Sequence, residues 1–264
     1  MRDPVVVLKF GSSVLRDESA LPAAVLEIYR EIRRGRRVVA VVSAFGMTTD
    51  TLLRSANEHF ERPDPRFLAR LLETGEARAA ACLGLALEQS GVPSEILDWR
   101  QTGLRTAGPV EDAEPVDLDT ETVHRVLTEV PVVVTPGFVG HDDRGRPNLL
   151  GRGGSDLTAL FLAHRLEAVE CRLLKDVDGL LKVNRDGSLD HATRYAQAHY
   201  AECLRVGGPL IQPKAVEFAE QHGLAFTIAR CGTGEGTVAG PVTSRFERTS
   251  EKPHRLRVAL AGLG

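Results

Sequence analysis

Two short runs of aliphatic residues, Val5 to Leu8 and Val38 to Val42, contain no polar side chain on either face. A strand that meets water on one side alternates in polarity, so a strand apolar throughout has to be covered on both sides. Between the runs, Leu21, Val25, Leu26, Ile28 and Ile32 recur near helical spacing up to Arg34, and Gly35 ends the segment. Apolar strand, amphipathic helix and apolar strand make the unit of a parallel sheet with helices on its faces, an α/β fold. The theme continues with a long Ala- and Leu-rich helix from Phe67 to Gln89, a strand at Val132 to Val134 and a hairpin tip from Asp142 to Pro147. It closes with a helix over Ser155 to Leu166, a strand at Cys171 to Leu174, a helix over Lys214 to His222 and a strand at Ala225 to Ala229. A chain of 264 residues accommodates this as one large core or two lobes.

Composition narrows the function classes. Hydrophobic residues make up 42% and charged residues 26%, the balance of a soluble globular protein. The net charge of -3 is too close to neutral for electrostatic nucleic-acid binding. Cys82, Cys171, Cys203 and Cys231 form no C-x-x-C pair, which argues against a zinc or dithiol site and for a reducing compartment. With no export signal at the start and no apolar run of about 18 residues, the expected location is the cytoplasm, with no membrane partner.

Four clusters have the chemistry of ligand sites. Lys9-Phe10-Gly11-Ser12-Ser13 ends a strand with a lysine and small residues, which lets backbone N–H groups approach an anion beside a mobile positive charge; a strand-end turn with a solvated lysine is the plainer alternative. Gly151-Arg152-Gly153-Gly154-Ser155-Asp156 leads three glycines and an arginine into a helix start, where unpaired N–H groups and the dipole favour an anion. Ser155 or Asp156 as a simple N-cap is its bland reading. Lys175-Asp176-Val177-Asp178-Gly179 puts carboxylates at a strand's C-terminal end, where open α/β sheets bind ligands, although an Asp-Gly turn explains the dipeptide as well. In Thr74-Gly75-Glu76 a carboxylate is available for a substrate ammonium, against the alternative of a water-exposed helix face. No G-x-x-x-x-G-K-[ST] stretch is present, so a Walker-type site is excluded.

The order of these clusters, together with Val42-Ser43-Ala44, Gly207-Gly208, Pro213-Lys214-Ala215-Val216 and Gly236-Thr237, resembles the aspartate kinases of the amino acid kinase family. The resemblance implies a three-layer αβα sandwich with a mainly parallel sheet, an amino-acid-binding lobe over 1–150 and a nucleotide-binding lobe over 151–244. It implies an ATP-dependent phosphotransferase acting on the β-carboxylate of L-aspartate, with Mg2+, in the first step toward lysine, threonine and methionine. Lys9 and Asp156 would then be catalytic. Gly11, Ser12, Ser13, Lys175, Asp176, Asp178 and Lys214 would bind the nucleotide, and Ser43, Glu76, Arg152, Gly153, Gly154 and Ser155 the amino acid. No metal-ligand cluster is expected from the protein itself. A homodimer is the family's habit.

Departures accompany the likeness. Lys-Phe-Gly-Ser-Ser is one residue shorter than the aspartate kinase motif and closer to that of glutamate 5-kinases, which keeps another acidic acceptor open. Pro209 stands where the family has a phosphate-contacting lysine, so a contact is lost unless Lys214 replaces it; a feebly active scaffold or dimerisation module is the alternative from another class. The Val183-Asn184-Arg185-Asp186 stretch is also altered. Arg245 to Arg257 reads as a charged linker, and Arg257 to Gly264, an apolar strand entering a Gly-x-Gly, resembles the opening strand and first glycines of a Rossmann domain, as in homoserine dehydrogenase fused behind an aspartokinase.

Overall fold

The computed structural model describes residues 3–249, except 185, 187 and 209. The chain opens with β1 (Val5–Phe10), α1 (Leu21–Arg33) and β2 (Arg37–Val42), the expected unit, and β1 is buried along its whole length. Two helices follow, α2 (Thr48–His59), which no periodicity announces, and α3 (Pro65–Gln89). Next come β3 (Ser94–Ile96), β4 (Arg105–Ala107), β5 (Glu114–Asp117), α4 (Thr120–Glu129), β6 (Val132–Pro136) and the hairpin β7 (Val139–His141) with β8 (Pro147–Leu149). The second half holds α5 (Gly154–Arg165), β9 (Glu170–Lys175), β10 (Leu181–Val183), β11 (Leu189–His199), α6 (Tyr200–Val206) and α7 (Pro213–Gln221). It ends with β12 (Phe226–Arg230), β13 (Gly236–Gly240) and β14 (Arg245–Arg248).

Ten strands form one sheet in the order β10-β11-β13-β12-β9-β1-β2-β6-β3, with β14 beside β11; β5-β4-β7-β8 form a second, small sheet. The central pairs β12/β9, β9/β1, β1/β2, β2/β6 and β6/β3 are parallel. Alternation of side chains sorts the core into two layers. Val6, Leu8, Phe10, Val38, Ala40 and Val42 pack against Leu21, Ala24, Val25 and Ile28 of α1 and Ala79, Ala80, Leu83 and Leu87 of α3. Val5, Val7, Val39 and Val41 pack on the other face with the apolar residues of α5 and α7. The three-layer αβα sandwich is as expected.

One expectation changes, and another falls outside the described residues. Arg245–Arg248 is strand β14 and not the start of a linker: Phe246 stacks on Tyr195 at 4.3 Å and its neighbour Glu247 pairs with Arg194 at 2.6 Å, so an exposed charged segment is held at the sheet edge by its pairing with β11 and by these two side chains. The Rossmann-like Val258 to Gly264 lies outside the described residues, as do Pro209 and Arg185. Among the described residues, no helix is long and apolar enough to cross a membrane.

Candidate active site

Strand alternation places the two lysines. Val5, Val7 and Lys9 share one face of β1, and Cys171, Leu173 and Lys175 share the same face of the neighbouring β9, both faces looking at α5. The apolar positions of this stripe bury against the body of α5, and the lysines at its C-terminal end reach the helix's first turn. Between β1 and β9 the strand order reverses, because the chain leaves β1 toward β2 on one side and returns to β9 on the other. Ligand crevices of open α/β sheets form at such points.

Asp156, in the first turn of α5, lies between the two ammonium groups: Lys9 Nζ is 2.8 Å from Oδ1, and Lys175 Nζ donates to Oδ2 at 2.8 Å. All three residues are buried. Burial would raise the Asp156 pKa, yet the charges of Lys175 and Lys9 override it and hold the group at about 2. Burial loosens the Lys175 proton, with Asp156 acting against that. Two cations and one anion leave a buried net positive charge, which an anion from outside would balance. The N-cap reading of Ser155 and Asp156 is not what is found: Gly153, at φ 79°, is the cap, with no side-chain hydrogen bond, and the Asp156 carboxylate goes to the lysines.

Glu76 is the second unusual group. α3 packs its first turns on one core layer through Leu68, Ala69 and Leu72, and its last turns on the other through Ala79 to Leu87, so its middle crosses the ends of the strands. Glu76 therefore faces the crevice and not the solvent, contrary to the exposed helix-face alternative. It is 3% exposed, and its Oε2 has no hydrogen-bond partner among the described residues. Burial pushes its pKa up to about 8, against the opposing pull of the Ala44 N–H and the Lys9 charge. A buried carboxylate with an idle oxygen is expensive unless a cation arrives to meet it.

Lys9, Asp156, Glu76, Ser12, Ser43, Arg152, Gly153, Gly154 and Ser155 line one cleft of about 510 Å³. The amino group at position 9 and the guanidinium at 152 thus share a cavity. Arg152 is exposed and has no ion-pair partner among the described residues, leaving its fork available to a ligand carboxylate. Gly11 lacks a Cβ that would crowd the Lys9 ammonium at 3.1 Å.

The other candidates are placed differently. Ser13 lies on the same turn but does not line the cleft. Asp176 is exposed just past β9, and Asp178 accepts from Arg230 Nε at 2.6 Å, so its carboxylate is already paired. Lys214 does not reach the lysine–aspartate cluster. Its ammonium donates to Asp112 Oδ1, Ala113 O and Leu150 O at 2.7, 2.9 and 3.1 Å, which occupies all three of its N–H donors.

Sequence reasoning missed Thr49 and Asp50 in the first turn of α2, Glu111, and Phe138, all of which line the cleft. Phe138 holds φ 71°, rare for a bulky residue, with its N–H bonded to Thr158 Oγ1 and its carbonyl to the Leu150 N–H. Its position after Gly137 at the end of an apolar strand was the available signal. For the others no local pattern exists.

Comparison with known proteins places the chain in a family. The sequence profile of the amino acid kinase family matches residues 4–230. The chain is 32% identical over 238 residues to an aspartokinase of Bacillus sp. (strain MGA3), covering 89% of this chain and 58% of that protein. It is 33% identical over 221 residues to an aspartokinase of Geobacillus stearothermophilus, covering 83% and 54%. It therefore spans little more than half the length of these curated relatives. Among solved structures, an aspartate kinase from Synechocystis superposes with a TM-score of 0.76 at 29% identity, covering 91% of this chain and 40% of that one. E. coli aspartokinase III, solved in complex with aspartate and ADP, gives a TM-score of 0.77 at 21% identity over 90% of this chain and 65% of that one, a likeness of fold. A paired-lysine crevice at the sheet's reversal point, a glycine loop opening α5 and a profile match over most of the sequence lead to one conclusion: the chain belongs to the amino acid kinase family.

Proposed function

We propose that this protein is an aspartate kinase, transferring the γ-phosphate of ATP to the β-carboxylate of L-aspartate to give 4-phospho-L-aspartate. The observation that carries the proposal is the pairing, in one cleft, of a buried net-positive cluster with a buried carboxyl group, that of Glu76, whose Oε2 has no hydrogen-bond partner among the described residues. The first suits phosphate; the second suits an α-ammonium. The Bacillus and Geobacillus aspartokinases, each above 30% identity, support the same acceptor.

In this reading Glu76 receives the ammonium, Arg152 pairs with a carboxylate of the amino acid, and Ser43 and the 153–155 backbone complete the seat. The acceptor carboxylate is ionised at neutral pH, so no general base is needed. The difficulty is bringing two anions into line, and Lys9 lies between them to neutralise the charge that moves as the bond from the γ-phosphorus to the bridging oxygen breaks. Lys175 neutralises the nucleotide side, and Asp156 fixes both ammonium groups in place. Gly11, Ser12 and Ser13 offer N–H donors to the phosphates, while Asp176 and Asp178 border the nucleotide half.

The residues do not form a magnesium cage. Both Asp156 oxygens are taken by lysines, and no group of three His, Cys, Asp or Glu side chains able to hold a metal occurs among the described residues. Magnesium would enter on the triphosphate itself. A homodimer, a cytoplasmic location and a parent chain continuing into homoserine dehydrogenase rest on the sequence readings alone; sedimentation and sequence beyond position 264 test the first and last.

An ATP-dependent hydroxamate assay with L-aspartate and with L-glutamate tests the function. Product with aspartate is expected. Product with glutamate alone reassigns the acceptor, and no product with either favours the scaffold alternative.

A further inference from the structure

Lys214 has a structural setting that its expected role does not explain. Two of its three acceptors, Asp112 Oδ1 and Ala113 O, come from the segment entering β5, and the third, Leu150 O, belongs to the residue before the glycine loop. Glu114 Oε1 adds a second carboxylate at 3.1 Å. The same segment is tied to β8 by backbone bonds, Leu149 N to Val110 O at 2.6 Å and Ala113 N to Leu149 O at 2.8 Å. Gly151 holds φ 72°, and a Cβ there would overlap the Asp112 carboxylate. At Gly153 a Cβ would meet the Gln212 side chain, at the cap of the helix that bears Lys214. The start of α7 therefore bears on the loop at two points, from a helix that belongs to the half expected to hold the nucleotide.

We propose that Lys214 is a positioning residue: with Asp112 it staples the entrance of the glycine loop, so that Arg152 is presented to the acceptor, and it does not bind the nucleotide phosphates. An ion pair this open to water adds little to global stability. Its bonds to the Ala113 and Leu150 carbonyls, however, tie the segment entering β5 to the entrance of a glycine-rich loop, whose backbone has wide conformational freedom of its own. The proposal rests on the reading of the cleft as an amino-acid site.

The test uses Lys214→Met and Asp112→Ala; the Asp112 side chain is 68% exposed, so its removal leaves the fold intact. Amide hydrogen exchange over residues 150–155 should accelerate about tenfold in Lys214→Met and in the same direction in Asp112→Ala. The KM for L-aspartate should rise about tenfold, with the KM for ATP within about twofold of the parent's. Unchanged exchange at 150–155, or a KM rise confined to ATP, overturns the staple. Should the parent protein phosphorylate no acceptor, the functional reading fails, and the exchange measurement still decides the role of Lys214.

Discussion

Replacing Glu76 with Gln removes a charge and keeps the shape, which makes it a direct probe of the buried carboxylate. Glu76 titrates at about 8 in the folded protein against an ordinary value of 4.5. The folded state thus binds the proton more tightly than the unfolded state, and stability falls as pH rises between the two values. Below about pH 4.5 both states are protonated and there is no penalty; above about pH 8 the penalty is complete, of order 5 kcal/mol at about 1.4 kcal/mol per pH unit. The substitution should therefore stabilise the unliganded protein by little near pH 5 and by up to about 4 kcal/mol more near pH 9, relaxation of the site reducing the figure. Urea denaturation of both proteins at the two pH values reads this difference. A companion measurement uses the ligand. Near pH 7 about nine-tenths of Glu76 is protonated, and an arriving ammonium should expel close to one proton, seen by calorimetry in buffers of different ionisation enthalpy. A stability difference between Glu76→Gln and the parent that stays constant from about pH 5 to pH 9 would refute the reasoning.

Lys9→Ala should lower kcat by a factor of about 100 to 1,000, because it removes the cation between two anions, while Arg152→Ala should act mainly on the KM for L-aspartate, by about 10- to 100-fold; steady-state kinetics with near-normal values in either would remove the proposed assignment. Asp156, held at about 2 against an ordinary 3.8, contributes stability that is complete above about pH 4 and lost as the pH falls toward 2. Asp156→Asn should therefore cost about 2–3 kcal/mol at neutral pH by leaving two buried ammonium groups together, with the difference from the parent shrinking in acid; urea midpoints across that range check it.

What could be read from the residues was what local pattern determines. Val5 to Leu8 and Val38 to Val42 are apolar on both faces, and β1 and β2 lie at the centre of the sheet, covered on both sides. The glycines ahead of Ser155 marked the loop because only a close approach uses so many, and Gly151 and Gly153 indeed stand where a side chain would collide. Glu76 was ambiguous for a physical reason. A helix of 25 residues passes through two packing layers, and no tripeptide says which residue falls at the crossing. The small sheet escaped because β4 and β5 are three and four residues long, too short for a period to register. Lys214 was misplaced because a lysine near a phosphate motif and a lysine bonded to three neighbours look alike until the chain is folded. Arg172 makes a similar case: facing away from Lys175 on β9, it is buried against Glu27 and Glu31 of α1, an ion cluster that only the pairing of distant elements creates.

The decisive observation concerns where the phosphoryl group goes. Phosphorus NMR of the protein with ATP, magnesium and L-aspartate should show ADP accumulating together with an acyl phosphate signal that hydroxylamine discharges, and in Lys9→Ala both should build up at least about 100-fold more slowly. ADP appearing with inorganic phosphate alone from the start, or the same acyl phosphate at undiminished rate in Lys9→Ala, would contradict the account.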